Sequence, residues 1–291
     1  TLIMNNNDFV SQSRSWYPIL EKIKIMHLYM FDELFKVMKY PAGESHIELE
    51  NYPRSTGDKI IVIHDECWGF EDLGNILTAN QILERLDIQP RWFIPYFPFA
   101  RHDRRRDKED GLELKIAFEM MKGLDIITAD PHSDVLACEY PYVPQGYILN
   151  CINNKYDCID GNSVFVIPDT GATKKAYEWL NGRDHAQGQK YRDPKTGKLT
   201  GFGVDWARLD GRNCIVVDDI CDGGGTFCGL GQVLKDKGAD TLTLIVTHGL
   251  FTQGLDELRK YYDYIYTFGK TNFRVNGNVT YKEVSFEDNL V

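Results

Sequence analysis

Short runs of apolar and β-branched residues recur along the chain, each closed by glycine, proline or charge, and stretches with helical spacing lie between most of them. Residues 59–63 (K-I-I-V-I), 92–96, 125–129, 163–167, 214–217, 242–247 and 264–268 read as strands. Runs this short and this apolar suit strands covered on both faces, as in a parallel sheet. Residues 73–86, 112–121, 173–180, 227–237 and 255–262 carry apolar residues three and four apart and predict helices. Earlier, 15–37 mixes aromatic and aliphatic residues at near-helical spacing, a turn follows at 40–45, and 46–49 alternates like a strand. Around 140–160 the prolines and asparagines predict a junction, and 181–200 is polar and glycine-rich, the pattern of a mobile segment. Strands alternating with helices on both sides of the junction predict an α/β protein with mostly parallel sheets. The expected domains are residues 1–148 and 149–291.

Composition narrows the classes. A content of 43% hydrophobic and 26% charged residues in 291 is that of a globular chain. The net charge of −10 argues against nucleic acid as a partner, because no excess of cations is present to neutralise a phosphate backbone. No apolar run approaches the roughly 18 residues of a membrane span, and the first residues do not have the pattern of a signal peptide. The seven cysteines form no C-x-x-C pair, which points to reduced thiols and a cytoplasmic setting rather than to zinc or disulfides.

The chemistry concentrates at strand ends. Residues 215–226 read I-V-V-D-D-I-C-D-G-G-G-T, a buried strand expected to end at Asp218 and Asp219. Asp222, Gly223, Gly224, Gly225 and Thr226 then lead into a helix. Glycines let backbone N–H groups approach a phosphate, and the helix start adds partial positive charge. Two carboxylates beside a phosphate would repel it, so Asp218 and Asp219 suit two neighbouring hydroxyls, as on a ribose, or a metal ion's water shell. After the strand at 92–96, residues 101–107 carry four arginines in seven positions (R-H-D-R-R-R-D), a solvated loop or a polyphosphate clamp. His132, between Asp130 and Asp134, and Asp169 lie at two further strand ends and make a Mg²⁺ site plausible. Lys190-Tyr191-Arg192 reads as a surface hairpin or as a cationic flap over a phosphoryl transition state. A Walker phosphate loop is absent. The G-x-G of Gly229 and Gly231 falls inside a helix and lacks its third glycine, which discounts a dinucleotide fingerprint.

Together these motifs resemble the ribose-phosphate diphosphokinase, or phosphoribosyl pyrophosphate synthetase, family from about Tyr40 to Phe268. They are I-P-Y-F-P-F-A-R-H-D-R-R at 94–105, T-A-D-P-H-S-D at 128–134, I-P-D-T-G-A at 167–172, K-Y-R at 190–192, V-V-D-D-I-C-D-G-G-G-T at 216–226 and T-H-G-L-F at 247–251. The resemblance implies two phosphoribosyltransferase-like domains related by a pseudo-twofold, with the active site between them, in a dimer-based homo-oligomer such as a hexamer. It implies transfer of the β,γ-diphosphate of Mg-ATP to the anomeric hydroxyl of ribose 5-phosphate, giving phosphoribosyl pyrophosphate and AMP. Arg101, His102, Asp103 and Glu44 would then bind ATP, and His132 and Asp169 would bind Mg²⁺ or its waters. Asp218 and Asp219 would hold the ribose hydroxyls, Asp222 to Thr226 the 5′-phosphate, and Lys190 and Arg192 would be the catalytic cations.

The chain departs from the family pattern at three of these places. Ala42 stands where Asp or Asn is common, and His102 where glutamine is usual. Gly223 replaces a threonine of the phosphate loop, which removes a hydroxyl and a methyl. Either Thr226 and the backbone suffice there, or the enlarged pocket takes a substituted phosphate such as that of ADP-ribose. The product would then be an ADP-ribose pyrophosphate on a route to NAD. A phosphoribosyltransferase and a non-catalytic regulatory homologue are the remaining alternatives.

Overall fold

In a computed structural model, the buried apolar runs become the central strands of two separate sheets. The structure describes residues 27–53, 59–105, 107–192, 199–206, 209–269 and 281–284. The chain folds as two compact units that change over between Pro144 and Gln145.

The N-terminal unit is built on a five-stranded sheet in the order β1-β4-β5-β6-β7, every neighbouring pair parallel. Its strands are β1 His27–Met30, β4 Lys59–Ile63, β5 Gln89–Phe93, β6 Ile126–Ala129 and β7 Tyr142–Val143. Residues 60–63 and all of β6 are buried, as strands covered on both faces must be. The helices are α1 Phe31–Leu34, α2 Phe70–Arg85, α3 Glu113–Met120 and α4 Asp134–Glu139. The inward stripe of α2 (Leu73, Ile76, Ala79, Leu83) packs with Trp92 and Ile94 in one core. Within it the Trp92 indole donates to Asn80 Oδ1 at 2.9 Å, which removes the cost of burying both polar groups. A separate antiparallel hairpin, β2 Phe35–Lys39 with β3 Ser45–Leu49, precedes β4 and packs Phe35 and Ile47 into the same core.

The C-terminal unit has seven strands in the order β10-β9-β8-β11-β12-β13-β14, parallel except for the β9/β10 hairpin. Its centre is β8 Ser163–Ile167, β11 Asn213–Cys221 and β12 Leu242–Gly249. Every residue of β8 and β12 is buried. Outside them lie β9 His185–Arg192, β10 Leu199–Val204, β13 Tyr264–Phe268 and β14 Tyr281–Val284. The helices are α5 Gln145–Tyr156, α6 Thr173–Leu180 and α7 Gly225–Asp236. α5 and α6 meet where Gly146 admits the Trp179 side chain and the Trp179 indole donates to Gln145 Oε1 at 2.8 Å. α6 stops at Asn181, which takes the left-handed conformation (φ 44°) that asparagine tolerates.

Several expectations need correction. The region 140–160 is no mere junction, because it contains the twelve-residue α5, which the expected boundary at 148/149 would cut. Its apolar face was diluted by asparagines. The polar segment 181–200 contains strand β9, paired to β8 on one side and to β10 on the other. Backbone pairing needs no apolar side chains, so the pattern did not show it. Within 15–37 the described part is β1, one helical turn and the start of β2, not a helix; 15–26 lies outside the described residues. The helix expected at 255–262 is a single 3₁₀ turn, Leu258–Lys260, and β13 is followed by β14. The strand at 92–96 sits earlier, at Gln89–Phe93. Finally, β11 does not end at the paired aspartates but runs on to Cys221, with Asp218 opposite Val246.

Candidate active site

Parallel strands deliver their following loops to one edge of a sheet, and open α/β sheets bind ligands at that carboxyl edge. In the C-terminal unit the edge collects the turn after β8 (Asp169), the end of β9 (Lys190), the end of β11 (Asp218 to Thr226) and the loop after β12.

Two lysine–aspartate pairs organise it. Lys190 Nζ donates to Asp169 Oδ2 at 2.6 Å, while Asp169 Oδ1 accepts from the N–H groups of Gly171 (2.9 Å) and Ala172 (3.2 Å). Burial opposes the charged form of Asp169, yet the Lys190 ammonium and the two backbone donors outweigh it, so its carboxyl lies below the usual range. Gly188 makes this reach possible. A Cβ there would lie 2.6 Å from the Pro168 carbonyl oxygen, so only glycine lets β9 press against the end of β8. In the second pair Lys175 Nζ donates to Asp219 Oδ2 at 2.8 Å, and Asp219 is buried. The Asp219 N–H donates to Asp218 Oδ1 at 2.9 Å. Burial, with the charges of Asp219 and Asp169 nearby, pushes the Asp218 carboxyl well above its ordinary range. Such a carboxyl is ready for a partner that supplies hydroxyl donors or positive charge.

The glycine loop follows. Gly224 has φ +77°, a left-handed position closed in by Leu258, and as the residue before α7 it has no side chain with which to cap the helix. Thr252 Oγ1 donates to Asp222 Oδ1 at 2.6 Å and the Thr252 N–H donates to the Asp222 carbonyl at 3.1 Å, which ties the loop to the one after β12. Gly223 is exposed with an ordinary φ, and a Cβ there would meet Gln253 Cγ at 3.4 Å, an ordinary contact. The backbone does not demand glycine at 223.

Arg192 ends β9, and its backbone pairs with Leu199; its side chain is outside the described part. The structure therefore brings Lys190, Asp169, Asp218, Asp219 and Asp222 to Thr226 to one edge. It adds Lys175, which sequence reasoning missed. A signal was available: a lysine in the first turn of α6 opposes the helix dipole and calls for a carboxylate.

The carboxyl edge of the N-terminal unit is different. Arg101, His102, Arg104 and Arg105 are exposed in the loop after β5, while Asp103 is half-buried. His102 Nδ1 lies 3.2 Å from Glu113 Oε2, and Arg104 Nε 3.2 Å from Asp103 Oδ1. Just before them Phe99 adopts φ +63°, a conformation costly for a bulky residue, with its ring 4.2 Å from that of Phe70. His132 is exposed between β6 and α4, after the buried Asp130, which has φ +37°. Glu44 is exposed in the turn of the β2/β3 hairpin, where Gly43 has φ +94°. Lys39 and Ser45 of that hairpin both bind Glu71 of α2, each at 2.8 Å.

No family model matches the chain. It is 29% identical over 170 residues to a ribose-phosphate pyrophosphokinase of Mycobacterium leprae, covering 55% of this chain and 51% of that one. The match thus spans about half the length of the first curated relatives. A ribose-phosphate pyrophosphokinase of Ralstonia nicotianae is 27% identical over 251 residues (81% and 77%), and one of Pyrococcus furiosus 24% over 235 (76% and 80%). Among solved structures, phosphoribosylpyrophosphate synthetase from Mycobacterium smegmatis superposes with a TM-score of 0.72 at 19% identity, covering 90% of this chain and 95% of that one. No helix among the described residues is long and apolar enough to cross a membrane.

Proposed function

We propose that this chain, which is similar to the ribose-phosphate pyrophosphokinases, moves the β,γ-diphosphate of ATP to the anomeric hydroxyl of ribose 5-phosphate. The products are phosphoribosyl pyrophosphate and AMP. The observation that carries this reading is the Lys190–Asp169 pair, 2.6 Å apart, on the same sheet edge as the glycine loop. A phosphotransferase needs a cation held where phosphoryl charge develops, and positioning with charge neutralisation does most of the catalytic work in such reactions.

In this reading the N–H groups of Asp222 to Thr226 and the start of α7 bind the 5′-phosphate, and Asp218 and Asp219 accept the ribose hydroxyls. Arg101, His102 and Asp103 bind ATP, with Glu44 contributed across a subunit contact of a dimer-based homo-oligomer. Lys190 and Arg192 neutralise the transferring group, and no general base is assigned. Phosphate oxygens arriving at the edge give Lys190 a stronger set of acceptors than Asp169 alone.

Asp169 and His132 are the proposed contacts of Mg²⁺, which when bound neutralises phosphate oxygens. The donor chemistry of Asp169 fits: its carboxyl lies below the usual range, in the charged form that a divalent cation takes as a ligand. Among the described residues no three or more His, Cys, Asp or Glu are grouped to hold a metal. Mg²⁺ commonly takes one or two carboxylates and completes its shell with water and substrate phosphates.

Incubation with ATP, Mg²⁺ and ribose 5-phosphate should release AMP, and a parallel arm with ADP-ribose tests the alternative acceptor. AMP release in neither arm would sink the proposal. Base-dependent pyrophosphate release without ATP would identify a phosphoribosyltransferase instead.

A further inference from the structure

We infer that Phe202 and Gly229 form a seat that positions Lys190, by clamping the β9/β10 hairpin onto the helix that carries the glycine loop. The inference rests on the proposed role of Lys190. Phe202 of β10 lies directly opposite Lys190 of β9 in the antiparallel register. Residues so paired project from the same face of the hairpin. On that face Lys190 reaches Asp169, and the Phe202 ring lies against Gly229 in the second turn of α7.

The contact is close enough to dictate the residue. A Cβ added at Gly229 would overlap Cδ2 and Cε2 of the Phe202 ring. Gly229 has no positive φ, so the backbone does not require glycine there. Glycine within a helix is destabilising relative to alanine. The ring accounts for that cost: it lies on bare helix backbone, nearer to α7 than any side chain would allow.

The opposite face of the hairpin is braced separately. Tyr191 covers Gly201 and Gly203, where added Cβ atoms would lie 3.7 Å from its Cδ2 and 2.6 Å from its Oη. The Tyr191 hydroxyl donates to Gln189 Oε1 at 2.9 Å. This brace stays within the hairpin, whereas the Phe202 seat ties the hairpin to α7. The helix that starts at the proposed phosphate site therefore also sets where the proposed catalytic cation stands. It also explains Gly229 of the discarded G-x-G as a packing requirement.

The test uses the full chain with Phe202→Ala, Phe202→Leu, Gly229→Ala and the pair Gly229→Ala with Phe202→Leu. Phe202→Ala and Gly229→Ala should each lower kcat by about 30-fold to 100-fold with KM for both substrates within about threefold, since a misplacement near 1 Å costs about that much. Phe202→Leu should keep kcat within about threefold, and the double variant should recover much of the Gly229→Ala loss. An unchanged kcat in Phe202→Ala, or a loss seen only in KM, overturns the seat. A second readout needs no turnover: the rate at which an amine-reactive ester acylates Lys190 in the free protein, followed by mass spectrometry. It should rise in Phe202→Ala and Gly229→Ala and stay near wild type in Phe202→Leu. If the wild type releases no AMP, the proposed function fails, and the acylation rates alone decide the seat; equal rates in all variants overturn it.

Discussion

The two carboxyl edges both belong to sheets of mainly parallel strands, yet they manage charge in opposite ways. In the C-terminal unit the carboxylates are neutralised from within: Lys190 on Asp169, Lys175 on Asp219, backbone N–H groups on Asp169 and Asp218. In the N-terminal unit the described cations of the loop after β5 are exposed, and Arg104 pairs with its own neighbour Asp103. Partly buried ion pairs hold their geometry because water competes with them poorly. Exposed ones contribute at most about 1 kcal/mol and are screened by salt. The C-terminal edge is therefore pre-organised, whereas the N-terminal edge offers charge that a polyanion can gather.

The largest effect should come from the pre-organised edge. Lys190→Ala is expected to cut turnover by about a thousandfold while ATP affinity stays within severalfold, the pattern of a group that acts in the transition state. Steady-state kinetics with ribose 5-phosphate varied against ATP will check it, and equal losses in binding and turnover would remove that role. Arg101→Ala at the exposed edge should act on affinity instead, weakening ATP by about 10-fold to 100-fold. Raising salt should weaken ATP binding to the wild type more steeply than to this variant. Calorimetric titrations at two salt concentrations would expose any failure of the contrast.

Asp218→Asn tests the internal neutralisation. The folded-state carboxyl of Asp218 lies above its unfolded value, so its cost is absent below the unfolded pKa of about 4 and is fully present above the folded one. Asparagine keeps the acceptor for the Asp219 N–H and removes the charge. The variant should melt about 2 °C or more higher at neutral pH, lose that gain in acid, and lose turnover. A lower melting temperature at neutral pH would refute this account of Asp218. The smallest effect is expected of Gly223→Thr. Its backbone has room and no unusual φ, so thermal melting should stay within about 1 °C of wild type with ribose 5-phosphate still used. A collapse in stability would show that the loop needs glycine at 223.

The residues of the candidate site were more legible in the sequence than the elements that hold them. Asp169, Lys190 and the run from Asp218 to Thr226 stood in local motifs, and local motifs are visible without coordinates. A hairpin at Lys190 to Arg192 was one of two readings, but its extent and seating were not legible, because they come from backbone pairing and from Phe202 on Gly229. Helix α5 was hidden by its asparagines. Lys175 was missed because its carboxylate lies 44 positions away, on strand β11.

What the sequence alone determined was the alternation of buried strands and helices and the chemical identity of the loops at their ends. Periodicity and residue type set both, and neither depends on distant contacts. Only the tertiary structure decided how those loops are held. It extended β11 past the paired aspartates, because Asp218 lies beside the buried strand β12. It gave each of Asp169 and Asp219 its own lysine, and it made Gly188 and Gly229 obligatory through atoms that approach from other strands. Close packing is a property of pairs of segments, and a sequence read one segment at a time does not contain it.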